Sequence, residues 1–150
     1  MTTLDRYVQA QSGHHGVAYA EALEELRAGR KVSHWIWYVL PQLRALGRSA
    51  MAREYGLADR AEAAAYLAHP VLGPRLIECV TALLGLAHLS AKAILGPVDA
   101  TKFRSCLTLF EAAASRVEDR AVLAQALDVF YAGRRDDLTL LLLADQKAAG

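Results

Sequence analysis

Apolar residues recur every three or four positions through most of this chain, and that regularity restricts it to a helical fold. Leu72, Leu76, Val80 and Leu83 share one face of a helix, a spacing that a strand, with its period of two, cannot use. The same spacing appears in Leu4, Tyr7, Val8 and Gln11, in Tyr19, Leu23 and Leu26, and in Leu123, Leu127, Phe130 and Tyr131. Alanine and leucine dominate, and no hairpin dipeptide separates two alternating runs.

Helix ends can be read from the polar residues between these runs. Asp59 with Glu62 resembles a capping box opening a helix over 61–67, and Pro70 opens the next segment. Ser90 caps a short turn ending at Gly96-Pro97, and Asp99 and Asp119 are read as caps of the two helices that follow. Gly29 and Gly133 stop helices, with Arg27 and Arg30 at the negative end of one of them. A final helix is expected over about 136–145. The expectation is an all-α, single compact bundle of six to eight helices with short loops, one domain over residues 1–150.

The bulk numbers narrow the function classes. A chain of 150 residues that is 54% hydrophobic has ample material for one core. Its 17 basic and 16 acidic residues leave a net charge of +1, too little for an extended nucleic-acid surface. The longest apolar run, 138–144, is far below the ~20 residues that span a bilayer, and the N-terminus has no signal-peptide character. No membrane segment and a cytoplasmic location are therefore expected. Cys79 and Cys106 sit in apolar runs without metal-ligand spacing and read as reduced core residues. No metal site and no cofactor are expected. His14 and His15 read as an exposed loop, and His69 and His88 as structural.

Two stretches depart from ordinary helix composition. Residues 29–43 contain both tryptophans, Trp35 and Trp37, beside Arg30, Lys31, His34, Tyr38 and Gln42. Aromatic residues of this kind can simply be core, with their N–H and O–H groups bonded locally. Equally, aromatic faces can stack a base while cations hold a phosphate. On the helix after Asp99, Phe103, Cys106, Leu107 and Phe110 form a core face. Thr101, Ser105 and Thr108 stand opposite at i, i+4 and i+7, with Arg104 alongside. Small hydroxyls there mean either close helix packing or the polar wall of a cavity.

Those stretches carry a family resemblance. The run Gly29-Arg30-Lys31-x-Ser33-His34-Trp35-x-Trp37-Tyr38-x-x-Pro41-Gln42-Leu43 is similar to the signature of the bacterial family known as domain of unknown function 1810. So are His69-Pro70-Val71-Leu72-Gly73, Lys102-x-Arg104-Ser105-x-x-Thr108-Leu109-Phe110 and Gly133-x-x-Asp136-x-x-Thr139-Leu140. The resemblance implies an all-helical single domain and brings no established reaction. Some members carry the label calpastatin, yet this apolar sequence has none of the composition of a disordered protease inhibitor. Cys106 stands where the family usually has a serine, which argues against a catalytic hydroxyl there. Leu40 replaces the usual phenylalanine.

Two functions follow. In the first, the chain binds a small anionic, nucleotide-like or ADP-ribose-like ligand, held by Arg30, Lys31, Lys102 and Arg104. Trp35, Trp37, Tyr38, Gln42, Ser105 and Thr108 would complete that site. If a reaction occurs, hydrolysis of an N-glycosidic or ADP-ribosyl bond is preferred. Asp136 or Asp99 would then activate water, with His34 a further catalytic candidate. Both aspartates serve equally well as helix caps. In the second function the chain is a non-enzymatic interaction or structural module. The geometric expectation is that the segment 31–42 and the stripe Thr101, Ser105, Thr108 line one cavity.

Overall fold

A computed structural model describes residues 3–149. Its centre is the helix whose sequence carries apolar groups on one side and hydroxyls on the other. That helix, α8 (Pro97–Ala113), buries Phe103, Cys106, Leu107 and Phe110 on one face and Ser105, Thr108 and Leu109 on the rest. A helix buried nearly all round belongs inside the bundle. It packs against α5 (Arg60–Ala68), α7 (Ala91–Leu95), α9 (Val117–Tyr131) and α10 (Asp137–Ala149).

A second layer forms around α6 (Leu72–Leu84), which packs on α2 (Tyr19–Arg27), α5 and α9. The stripe Leu72, Leu76, Cys79, Val80 and Leu83 is buried, as its spacing predicts. The corner between α5 and α6 bends by 89° and depends on Gly73. A Cβ there would lie 2.0 Å from the Leu67 carbonyl oxygen, so no other residue fits without moving backbone. His69 supports the same corner, its Nδ1 accepting from the amides of Val71 and Leu72 at 3.1 and 3.2 Å. At the N-terminus, α1 (Asp5–Gln9) runs into a π-turn over Ala10–His14.

The described residues form ten α-helices rather than six to eight. The additions are α3 (Ile36–Val39) and α4 (Ala50–Glu54), preceded by a 3₁₀ turn at Arg44–Leu46. Helices of four and five residues are too short to display a 3.6-residue period, and packing rather than pattern holds them. No strand occurs among the described residues, only an isolated parallel bridge between Leu43 and Leu57.

Two expected caps are also corrected. α8 begins at Pro97 after Gly96, whose φ of 86° only glycine adopts readily, so Asp99 lies inside the first turn. α9 begins at Val117, and Asp119 lies in its first turn as well. Asp59 and Ser90 do cap, accepting from the amides of Glu62 and Ala93 at 2.9 and 3.0 Å. Asp136 opens α10, and that helix continues to Ala149 rather than ending near 145. Both cysteines are free and buried. Burial pushes the Cys79 thiol up to about 12 and raises Cys106 as well, so neither is a thiolate nucleophile. No single helix among the described residues is long and apolar enough to cross a membrane.

Candidate functional site

The segment 29–43 divides into an inward half and an outward half. Glu25, on α2, organises the inward half. Its Oε1 accepts from the amides of Val32 and Ser33 at 2.8 and 2.9 Å and from Trp35 Nε1 at 3.0 Å. Burial opposes ionisation of this carboxyl, but the bonds from Trp35, Ser33 and Val32 outweigh it and hold its pKa near about 2. Trp35 is therefore sealed in the core. Tyr38 is sealed as well, its hydroxyl donating to the Val17 carbonyl at 2.7 Å. Lys31 bonds the Ser33 carbonyl and pairs with Asp99 at 2.9 Å, its side chain only 5% exposed. Arg30 is exposed and lines no cavity with the rest.

The outward half is His34, Trp37 and Gln42. His34 is exposed, its ring 6.5 Å from that of Trp37 at an interplanar angle of 33°. It makes no hydrogen bond among the described residues, so no acid or hydroxyl positions it as a catalytic base. Trp37 is half-buried, yet its Nε1 is buried with no hydrogen-bond partner. The backbone at Gln42 is fixed by the bridge, its carbonyl accepting from Leu57 N at 2.9 Å.

Of this outward half, Gln42 meets α8 at a groove of about 650 Å³. One wall is Gln42, Leu46, Arg48, Ser49 and Ala52, and the other is Pro97, Val98, Thr101, Lys102 and Ser105. Asp136 and Leu138, from the start of α10, close one end. A water-sized cavity of about 10 Å³, lined by Trp37, Gln42, Ala52, Tyr55, Gly56 and Lys102, lies next to it and shares Gln42, Ala52 and Lys102. Lys102 Nζ stands 5.9 Å from the Trp37 ring centroid and 4.0 Å from Asp99. Asp99 is already matched by Lys31, so Lys102 is a loosely held cation with its side chain 27% exposed.

The expected shared cavity thus forms from part of each stretch. Gln42, Thr101, Lys102 and Ser105 meet in the groove, and Trp37 joins through the small cavity. Lys31, His34, Trp35, Tyr38 and Thr108 do not line it. The hydroxyls of the stripe are also largely self-satisfied, each donating to the carbonyl one turn earlier. Thr101 bonds Pro97, Ser105 bonds Thr101, and Thr108 bonds Arg104, at 3.1, 3.4 and 2.8 Å. Thr108 additionally accepts the Asp136 amide at 2.9 Å, fastening α10 to α8.

The two carboxylates expected to activate water each have a structural neighbour. Asp99 pairs with Lys31 as above. Asp136 Oδ2 accepts from the amide and hydroxyl of Thr139, and Oδ1 lies 3.9 Å from Arg104. Arg104 itself makes no hydrogen bond from its side chain, and its Nε is buried without a partner. It lines a neighbouring hollow of about 410 Å³ with Arg134, Arg135 and Asp137, which shares Asp136 and Leu138 with the groove. Arg135 there is committed to Glu111 through two bonds of 3.0 and 2.7 Å.

Arg48, Ser49 and Leu46 carried no signal in the sequence, because the one-turn elements that position them have no period. A second hollow of about 650 Å³ lies between Arg27, Glu78, Arg116 and Asp119. Three of its four charges are paired along the surface, Arg27 with Glu78 at 3.8 Å and Arg116 with Glu118 at 3.7 Å, and it has no unsatisfied buried donor. No group of three or more metal-ligating side chains exists among the described residues.

Among solved structures, the conserved hypothetical protein Rv1873 from Mycobacterium tuberculosis is similar in sequence and fold. It is 42% identical, with a TM-score of 0.87, over 94% of this chain and 96% of that one. No curated protein matches the chain. The family model described as "Protein of unknown function (DUF1810)" matches residues 1–143, and the chain belongs to that family.

Proposed function

We propose that this protein binds a small, partly apolar anionic ligand in the groove between residues 42–52 and α8. The observation that carries the reading is the combination of walls and donors. Leu46, Ala52, Pro97, Val98 and Leu138 offer apolar surface, while Lys102 and Arg48 supply cations and Gln42 supplies an amide. Val98 and Leu138 remain 66% and 51% exposed, an arrangement that an apolar ligand body would cover. Seven of the twelve lining residues are polar, Asp136 at one end among them, and the five apolar ones supply the apolar surface usual in a small-molecule pocket.

The reading stops at binding. The hydrolytic roles of Asp99 and Asp136 are not part of this reading: Asp99 pairs with Lys31, and Asp136 accepts from Thr139 through Oδ2 while its Oδ1 lies 3.9 Å from Arg104. A nucleotide-like ligand needs an accessible aromatic face, and of the three aromatic residues proposed for stacking only Trp37 is not buried. A thermal-shift panel of nucleotides, sugar phosphates and small organic acids tests the proposal. A binder present at about a hundred times its Kd adds about 2.7 kcal/mol of stability. Thr101→Arg, at an exposed position on the groove wall, should abolish that gain by filling the groove. A gain that survives Thr101→Arg unchanged puts the ligand elsewhere and defeats the reading.

A further inference from the structure

The last helix, α10, is apolar on the side it buries and also on the side it leaves open. Towards the bundle it turns Thr139, which is fully buried, and Leu142 and Leu143, which pack on the core. Gln146 lies on the same side and donates through Nε2 to the Ala58 carbonyl at 3.0 Å. The opposite side carries Leu140, Leu141, Ala144 and Ala148, all exposed, with Leu140 43% and Leu141 56% accessible. At helical spacing these residues fall within one arc of about 100°. A surface helix ordinarily turns charged residues to water there, and one that is apolar all round is covered on both sides.

The charges on this face indicate what covers it. Asp137 stands at its start and Lys147 near its end, both exposed and neither in an ion pair among the described residues. They lie about 15 Å apart along the helix axis. A face with a negative end, an apolar middle and a positive end is complementary to itself when inverted. Set antiparallel on a second copy, each Asp137 meets the other copy's Lys147, and each Leu140 packs on the other copy's Ala144, large against small. A parallel arrangement would bring like charges together. A two-fold axis lets the one patch serve both partners.

We propose that the protein self-associates as a two-fold dimer through the outer face of α10, with the two helices antiparallel. Leu138 points instead to the groove, so the dimer goes beyond the groove reading and does not depend on it. One helix pair is a small interface, of the class that gives weak, concentration-dependent association.

Sedimentation equilibrium of the full chain from about 5 to 500 µM, a range suited to a weak interface, tests this. The average mass should rise with concentration from that of one chain towards that of two. Leu140→Asp and Leu141→Asp should each weaken association at least about tenfold, because each would bury a charge in the apolar middle. Thermal melts establish that each variant is folded. Asp137→Lys and Lys147→Asp should each weaken association, and the double exchange should restore it, since the pairs re-form with their signs reversed. That exchange leaves the apolar face intact, so it decides the matter even if a leucine variant fails to fold. A mass that stays at one chain throughout the range overturns the proposal, as does association that neither leucine variant changes. Association that the leucine variants weaken but the double exchange does not recover overturns the antiparallel pairing.

Discussion

Trp35 and Trp37 stand two residues apart on the same segment, and the protein treats them in opposite ways. The Trp35 ring is sealed in the core and its N–H reaches Glu25. The Trp37 ring is half-exposed and its N–H reaches nothing in the protein. The lysines repeat the contrast. Lys31 is buried against Asp99 at 2.9 Å, and Lys102 stands 4.0 Å from the same carboxylate with more than a quarter of its side chain open. One set of groups builds the fold and the other is left over. A sequence motif rich in aromatics and cations can therefore be half architecture and half site, and composition does not divide it.

The largest expected effect is on the architectural side. Trp35→Ala should destabilise the protein by about 3–5 kcal/mol, the range for removing a fully buried large aromatic. Trp37→Ala should cost less than half as much because its ring is already partly wet. Urea unfolding of the two variants measures both. Equal losses would erase the contrast between the two residues.

The lysine pair gives the next effect. Lys31→Met leaves Asp99 partly buried with only the distant Lys102, and a loss of about 1–2 kcal/mol is expected. Lys102→Met should change stability by less than about 0.5 kcal/mol, as removal of a loosely held, part-exposed charge does. A larger loss for Lys102 than for Lys31 would reverse their assigned roles.

The Glu25 hub adds a pH dependence. Its pKa is depressed from 4.5 to about 2, so its contribution is fully present above about pH 4.5. It is lost as pH falls towards about 2, because the unfolded chain then binds the proton that the folded chain refuses. With solvent screening allowed for, about 1 kcal/mol is expected from this group. Glu62 is depressed too: burial opposes the shift, and bonds from the Ala58 amide, Thr3 and Arg6 outweigh it. The measurement is therefore a comparison of Glu25→Gln with the parent across acid melts. An unchanged acid limb in the variant would show that Glu25 does not hold the segment.

Helix class and the long helices were legible because their apolar periods run for three or more turns. The caps at Asp59 and Ser90 follow the same local rules. What escaped was short or distant. α3 and α4 have no room for a period, and α4 with the 3₁₀ turn before it carries one wall of the groove. Glu25 lies on a different helix from the loop it organises, so nothing local marks it. The contest between the two tryptophans was undecidable for the same reason, since each has aromatic and polar neighbours and only the fold gives one of them a carboxylate. Asp99 shows the converse error. An aspartate near a helix start reads as a cap, but Pro97 had already begun the helix two residues earlier.

The smallest expected effect is also the sharpest test of the contrast. Trp35→Phe and Trp37→Phe each keep an aromatic ring and remove an indole N–H. At Trp35 the lost group is a donor to a carboxylate, and such bonds contribute about 1.5–3 kcal/mol. Glu25 keeps its donors from Val32 and Ser33 but loses the indole, so a loss in that range is expected together with a rise in the Glu25 pKa. At Trp37 the lost group is unpaired, and removing it relieves a desolvation penalty of about 1–3 kcal/mol. The smaller ring gives up some packing in return. The two terms oppose each other, and the net change should stay within about 1 kcal/mol of zero in the absence of ligand. A loss at Trp37 as large as that at Trp35 would mean that its N–H is already well bonded in the free protein, by a tightly held water in the cavity.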